Sequence, residues 1–114
     1  MAVRKNEGNP AITPSSGNVF ADLGLTDAEE RQTKVRLALA INRILDQRHL
    51  RQAEAARELG INQPKISALT NYRLAGFSVE RLLSFLTALD RDVEIVIRSK
   101  PRSRRPARIF VTAA

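Results

Sequence analysis

The spacing of apolar positions changes three times along this chain. From Thr26 to about Gln47 they return at helical intervals. Leu37, Ile41, Ile44 and Leu45 share one face, widened by Val35 and Ala38. Thr26 and Glu29 form a T-x-x-E capping box, and Asp27, Glu29 and Glu30 suit the positive end of a helix dipole. The pattern predicts one long amphipathic helix, with Arg31, Lys34, Arg36 and Arg43 on much of its other surface. From Gln52 to Leu69 the pattern tightens into two short helices joined by a turn. Ala55, Ala56 and Leu59 line the inner side of the first, and Gly60 ends it by entering the left-handed region without strain. Ile61 plugs the turn and Asn62 offers its side-chain oxygen to the next helix. Pro64 falls in that helix's first turn, where a missing N–H costs nothing. Ile66 and Leu69, three apart, come back to the face that meets Ala56 and Leu59. Helices this short are marginal alone in water, so the pair needs a supporting core, for which the long helix is the natural scaffold.

Beyond Leu69, TNYRLAGFS reads as a loop marked by Gly76. Ser78 can cap a further helix, whose Val79, Leu82, Leu83, Phe85, Leu86 and Leu89 are dense enough to require burial, within the monomer or against a twin. The period then falls to two: Val93, Ile95 and Ile97 alternate with Glu94, Val96 and Arg98. A single strand makes no sheet. It pairs with another segment of the chain (Phe110 and Val111 are a weak candidate), with its copy in a dimer, or with a partner's sheet edge. Pairing between chains is the expectation. At the other end, residues 1–18 mix Pro10, Pro14, Gly8 and Gly17 with polar residues and read as flexible in isolation. Val19, Phe20, Leu23 and Leu25 then form an apolar cluster expected to dock on the domain, the alternative being a motif offered to a partner. The expected organisation is a flexible segment over 1–18, a domain over 19–98 and a basic tail over 99–114.

Composition removes several function classes. With no cysteine there are neither disulfides nor thiolate metal sites, and one histidine, His49, builds neither a histidine metal cluster nor a His-paired relay. The acids sit mainly at helix starts and on solvated faces rather than as paired catalytic carboxylates, so an enzyme is not expected, nor any cofactor. No apolar run reaches bilayer length and no signal-peptide pattern opens the chain, so a cytoplasmic, nucleoid-associated protein is expected. At 4%, aromatic residues are too few for a single-strand stacking platform. The formal charge is +7, and its location matters more than its size. Arg98, Lys100, Arg102, Arg104, Arg105 and Arg108 form a run without acids, and without those six the rest of the chain stands at +1. Such a run either binds a polyanion or is merely a solvated tail.

Candidate chemistry gathers in Gln52–Leu69, which has the geometry of a helix-turn-helix. With Ile66 and Leu69 turned inward, Gln63, Lys65 and Ser67 are left outside on a helix whose amino end can enter a major groove. Glutamine pairs with adenine edges; lysine reaches guanine or phosphate; Ser67 either reads or packs. The Gln52 amide can meet a phosphate from the start of the first helix. Asn71 and Arg73 can contact the backbone from the following loop, together with Tyr72 unless that ring belongs to the core. Lys100, Arg102, Arg104, Arg105 and Arg108 can lie along phosphates or enter a minor groove.

The run Gln52, Ala56, Gly60, Ile66, Ser67 and Leu69 resembles the helix-turn-helix of the λ-repressor/Cro superfamily, also called the XRE family. Gln63 falls where many such repressors carry the glutamine that opens the recognition helix. Between about Val19 and Arg98, the segments NVFADLGL, GFSVERLL and RDVEIVIR resemble HigA-type antitoxins, which accompany RelE-like (HigB-like) toxins. The resemblance implies a mainly α, λ-repressor-like bundle of four to five helices with one C-terminal β-strand that pairs in a dimer. It implies a homodimeric repressor that binds its own operator DNA and neutralises an mRNA-cleaving toxin, the candidate toxin surfaces being Met1–Leu25 and Val93–Arg98. A solitary or phage-type regulator without a toxin is the alternative. Two features depart from the pattern: Thr70 and Asn71 stand where an acidic residue often follows the recognition helix, and the arginine-rich tail extends beyond the usual core.

Overall fold

The computed structural model describes residues 27–113, within which four helices follow one another: α1 Asp27–Gln47, α2 Gln52–Leu59, α3 Gln63–Thr70 and α4 Val79–Ala88. Thr26 and the apolar cluster of Val19–Leu25 lie outside the described residues, as does the segment 1–18. α1, about 30 Å long at 1.5 Å per residue, is the backbone of the domain. It packs most extensively against α4, while α2 packs against α3. The core is continuous, from Leu37, Ala38, Ile41, Ile44 and Leu45 of α1 through Ala56, Leu59, Ile66 and Leu69 to Leu82, Phe85, Leu86 and Leu89. The dense helix after Ser78 is therefore covered within the monomer.

Val35 is a correction. The apolar spacing places it on the core face of α1, but it is exposed, and so is Leu39. At 100° per residue Val35 lies about 160° round the helix from Leu37, so it belongs to a second apolar stripe with Leu39, four residues on. The loop also departs from expectation. Leu74 and Phe77 of TNYRLAGFS are buried, with Phe77 edge-on to Phe85 at 5.9 Å between ring centres, whereas Tyr72 is exposed. The loop is thus part of the core, and the dense helix α4 supplies the ring on which it rests.

All four helices end in the same way. Each closes with a pair of bonds, one from the N–H of the residue at the cap and one from the N–H of the residue after it. The pairs are Leu50 to Leu45 O with His49 to Asp46 O, Ile61 to Ala56 O with Gly60 to Arg57 O, Arg73 to Ala68 O with Tyr72 to Leu69 O, and Arg91 to Leu86 O with Asp90 to Thr87 O. This double closure requires a left-handed residue at the cap. Only α2 uses glycine there (Gly60, φ 69°); His49 (φ 54°), Tyr72 (φ 59°) and Asp90 (φ 63°) adopt it despite their side chains. The helix starts follow the expected chemistry. The Asn62 side chain accepts from the Lys65 N–H at 2.9 Å and Ser78 Oγ from the Arg81 N–H at 3.1 Å. Glu54 reaches back to accept from the Arg51 N–H at 2.9 Å, which closes the start of α2.

No strand forms among the described residues. Residues 91–100 are exposed throughout, and no backbone hydrogen bond joins 92–98 to another described segment. The suggested return strand is corrected outright. Phe110 and Val111 do not pair with Val93–Arg98 but lie on α1, beside Arg36, Leu39, Ala40 and Arg43. The second stripe of α1 offers them an apolar surface, which outweighs a ladder of two or three bonds at the chain's end.

Candidate nucleic-acid interface

α3 is held by its inner side: Ile66 and Leu69 are fully buried, and Asn42 of α1 donates to the Leu69 carbonyl at 3.3 Å. The Asn42 Oδ1 is buried without a hydrogen-bond partner among the described residues. α2 is held by Ala55 and Ala56, small enough to let α3 cross closely, and Gly60 turns the chain between them. This anchoring leaves the amino end of α3 uncovered, and Gln63, Pro64 and Lys65 are all exposed. Pro64 has no N–H and the Lys65 N–H is taken by Asn62, so what this start offers an approaching anion is chiefly the positive end of the helix dipole.

The outward residues do not form one set. Gln63, Ser67 and Asn71 are spaced by four and make a single stripe, whereas Lys65 falls on the opposite flank. Along the stripe Gln63 is exposed, Ser67 is half-buried, and Asn71 is exposed with its amide donating to the Ser67 carbonyl at 2.8 Å. Thr70 Oγ1 donates to the same carbonyl at 3.1 Å and accepts from the Gln52 amide at 3.4 Å. Gln52 is therefore set beside α3, at the edge of the stripe, by Thr70. Arg73 is exposed just past the left-handed Tyr72.

Lys65 has a different environment. Its ammonium donates to the Gly76 carbonyl at 3.2 Å and sits 5.0 Å above the centre of the Phe77 ring. A Cβ on Gly76 would come within 3.1 Å of that nitrogen, so the glycine leaves room for the lysine rather than supplying an unusual backbone angle. The loop after α3 thereby fixes a positive charge at one corner of the unit. No other charge dominates there. Glu54 and Glu58 offset Arg57 and Lys65, and the exposed Arg48–Glu58 pair at 3.4 Å contributes at most about 1 kcal/mol.

The basic residues beyond α4 lie elsewhere. Lys100 donates to the carbonyls of Pro101 and Ser103 at 3.3 and 3.2 Å, and Arg105 to that of Pro106 at 3.2 Å, across a bend at 102–105. Lys100, Arg102, Arg104 and Arg108 are exposed and Arg105 is half-buried. The chain then runs to α1, where the Arg36 guanidinium lies 4.4 Å from the Phe110 ring centre and that of Arg108 5.0 Å from it. Val111 is partly buried against the core. Val93, Ile95 and Ile97, the proposed dimer residues, are exposed, Ile97 at 93%. No group of three or more metal-ligating side chains gathers among the described residues, and no described helix is long and apolar enough to cross a membrane.

Comparison with known proteins agrees with this geometry. A family model described as a helix-turn-helix domain matches residues 19–98. A solved structure named as an XRE-family transcriptional regulator is 68% identical, spans 78% of this chain and 100% of its own, and superposes with a TM-score of 0.75. Among curated proteins, none matches. The chain belongs to the helix-turn-helix family, in its XRE group.

Proposed function

We propose that this member of the XRE family is a sequence-specific repressor of double-stranded DNA, acting as a homodimer on its own operator and serving as the antitoxin of a type II toxin–antitoxin pair with a RelE-like toxin. The carrying observation is the uncovered start of α3, which exposes Gln63 while Ile66 and Leu69 are buried behind it. Gln63 is the base reader, best suited to an adenine edge, with Ser67 and Asn71 along the same stripe. Gln52, Lys65 and Arg73 meet phosphates on either side, and the fixed position of Lys65 over Phe77 suits a phosphate better than a base. A transcriptional regulator is also what the name of the 68%-identical structure describes.

Dimerisation is assigned to Val93–Arg98. The segment carries strand periodicity, is exposed, and has its ladder groups unpaired within the described chain, so a second copy can complete it. The toxin reading rests on the resemblance of NVFADLGL, GFSVERLL and RDVEIVIR to HigA-type antitoxins, with the exposed Ile95, Val96 and Ile97 available to a partner. The expected organisation of flexible segment, domain and basic tail belongs to the same proposal. Footprinting on the DNA upstream of the gene tests it. The expected result is a symmetric protected site, with half-sites about one helical turn or a multiple apart. Protection of a single unpaired half-site would refute the dimer. Co-expression with the neighbouring small gene should yield a co-purifying toxin, and its absence would leave a solitary regulator.

A further inference from the structure

The contact between the C-terminal segment and α1 has no role in a simple picture of a free basic tail. Two guanidiniums meet there, with a third arginine beside them. Arg36 and Arg108 both approach the Phe110 ring, and Arg43 lines the same groove with Leu39 and Ala40. Among the described residues none of the three has a carboxylate within ion-pair distance. The ring face attracts Arg36 and Arg108 but does not neutralise them, and like charges gathered in this way favour an arriving anion. The adjoining stretch from Arg98 to Arg105 adds five more cations and no acid.

We propose that Phe110 and Val111 moor the basic segment on the second apolar stripe of α1, and that the moored loop with Arg36 and Arg43 forms a second surface for the phosphate backbone of duplex DNA flanking the base pairs read by α3. The inference rests on the DNA-binding reading above. Position supports flanking DNA: Asn42, which holds the end of α3, lies about 120° round α1 from Arg36, so the two surfaces occupy different flanks of one helix. Preorganisation supports a role for the mooring. A loop fixed at both ends has already lost much of the freedom that a free tail would lose on binding. It also gives Leu39, on a face of α1 that the core does not use, apolar neighbours in Phe110 and Val111.

Two substitutions loosen the mooring from opposite sides without changing charge: Phe110→Ala on the arm and Leu39→Ser on α1. Each is measured, in the full chain, on an operator duplex with about ten flanking base pairs per side and on one trimmed to the half-sites. The expected result is about three- to tenfold weaker binding on the long duplex and less than about twofold on the trimmed one. The pair Arg36→Gln and Arg43→Gln should reduce the slope of log affinity against log salt on the long duplex by up to about two, at roughly 0.9 per phosphate contact. Wild-type affinity in both mooring variants would overturn the proposal, as would tighter binding, since that makes the contact inhibitory. Equal losses on both duplexes would also overturn it, assigning the effect to the folded domain. Thermal melting of each variant checks the fold, and the charge-neutralised pair tests the surface even if a mooring variant melts early. Failure of the underlying reading looks different, because the wild-type chain would then not distinguish operator from random DNA.

Discussion

Between Arg51 and Asn71 the chain is tied down at nearly every step: α2 and α3 are capped, Ile66 and Leu69 are fully buried, and the turn between them is closed by Gly60. Between Arg91 and Ala113 it is exposed almost throughout and held to the body mainly through Phe110 and Val111 on α1. The first region carries almost no net charge; the second carries most of the chain's +7. The two kinds of surface suit different parts of the same task. Discriminating one base pair needs a side chain held to a fraction of an ångström, which only a packed helix provides. Attraction to a polyanion is long-ranged and sequence-independent, so a run of arginines held at only a few points can supply it without that precision of placement.

Substitutions should therefore cost very different amounts in the two regions. Ile66→Ala, at a site with no exposure, should lower the unfolding free energy by about 2–5 kcal/mol, whereas Ile97→Ala in the monomer should stay within about 0.5 kcal/mol. Urea denaturation under conditions that keep the chain monomeric measures both, and comparable losses would erase the contrast. A smaller effect concerns the helix ends. Gly60→Ala meets no steric obstacle but places a side chain at φ 69°, which should cost about 1 kcal/mol. Asp90→Gly, at φ 63° beside the arm, should run the other way and raise stability by up to about 1 kcal/mol. Opposite shifts in melting temperature are expected, and shifts of the same sign would show that the left-handed caps are not what those residues contribute.

The same contrast decides what could be read from the sequence. The α2–turn–α3 unit is specified locally, by a glycine that permits a turn, an asparagine that caps and a proline that fits a first turn; all three behave as their chemistry requires. The left-handed caps at His49, Tyr72 and Asp90 carried no such signal, because none is glycine. Val35, between Lys34 and Arg36 just ahead of the apolar run Leu37–Ile41, looks like an extension of that run's core face but lies on the far flank of α1. Leu74 and Phe77 looked like loop residues, and only the position of Phe85 makes them core. Among the candidate readers, spacing puts Gln63 and Ser67 on the side of α3 away from the core. It did not separate Lys65, whose place is set by a carbonyl and a ring eleven and twelve residues away. The mooring of Phe110 on Arg36 spans most of the domain and left no trace in the local pattern.

The division of labour is tested most directly by measuring affinity for operator and random duplexes across a range of salt, for the wild-type chain, for Gln63→Ala, and for a chain with Lys100, Arg102, Arg104, Arg105 and Arg108 all changed to Gln. Gln63→Ala should reduce the preference for operator by about 1–3 kcal/mol and leave the salt slope unchanged. The neutralised arm should flatten the slope on both duplexes and leave the preference intact. A loss of preference from the neutralised arm, or a slope altered by Gln63→Ala with preference preserved, would contradict the account.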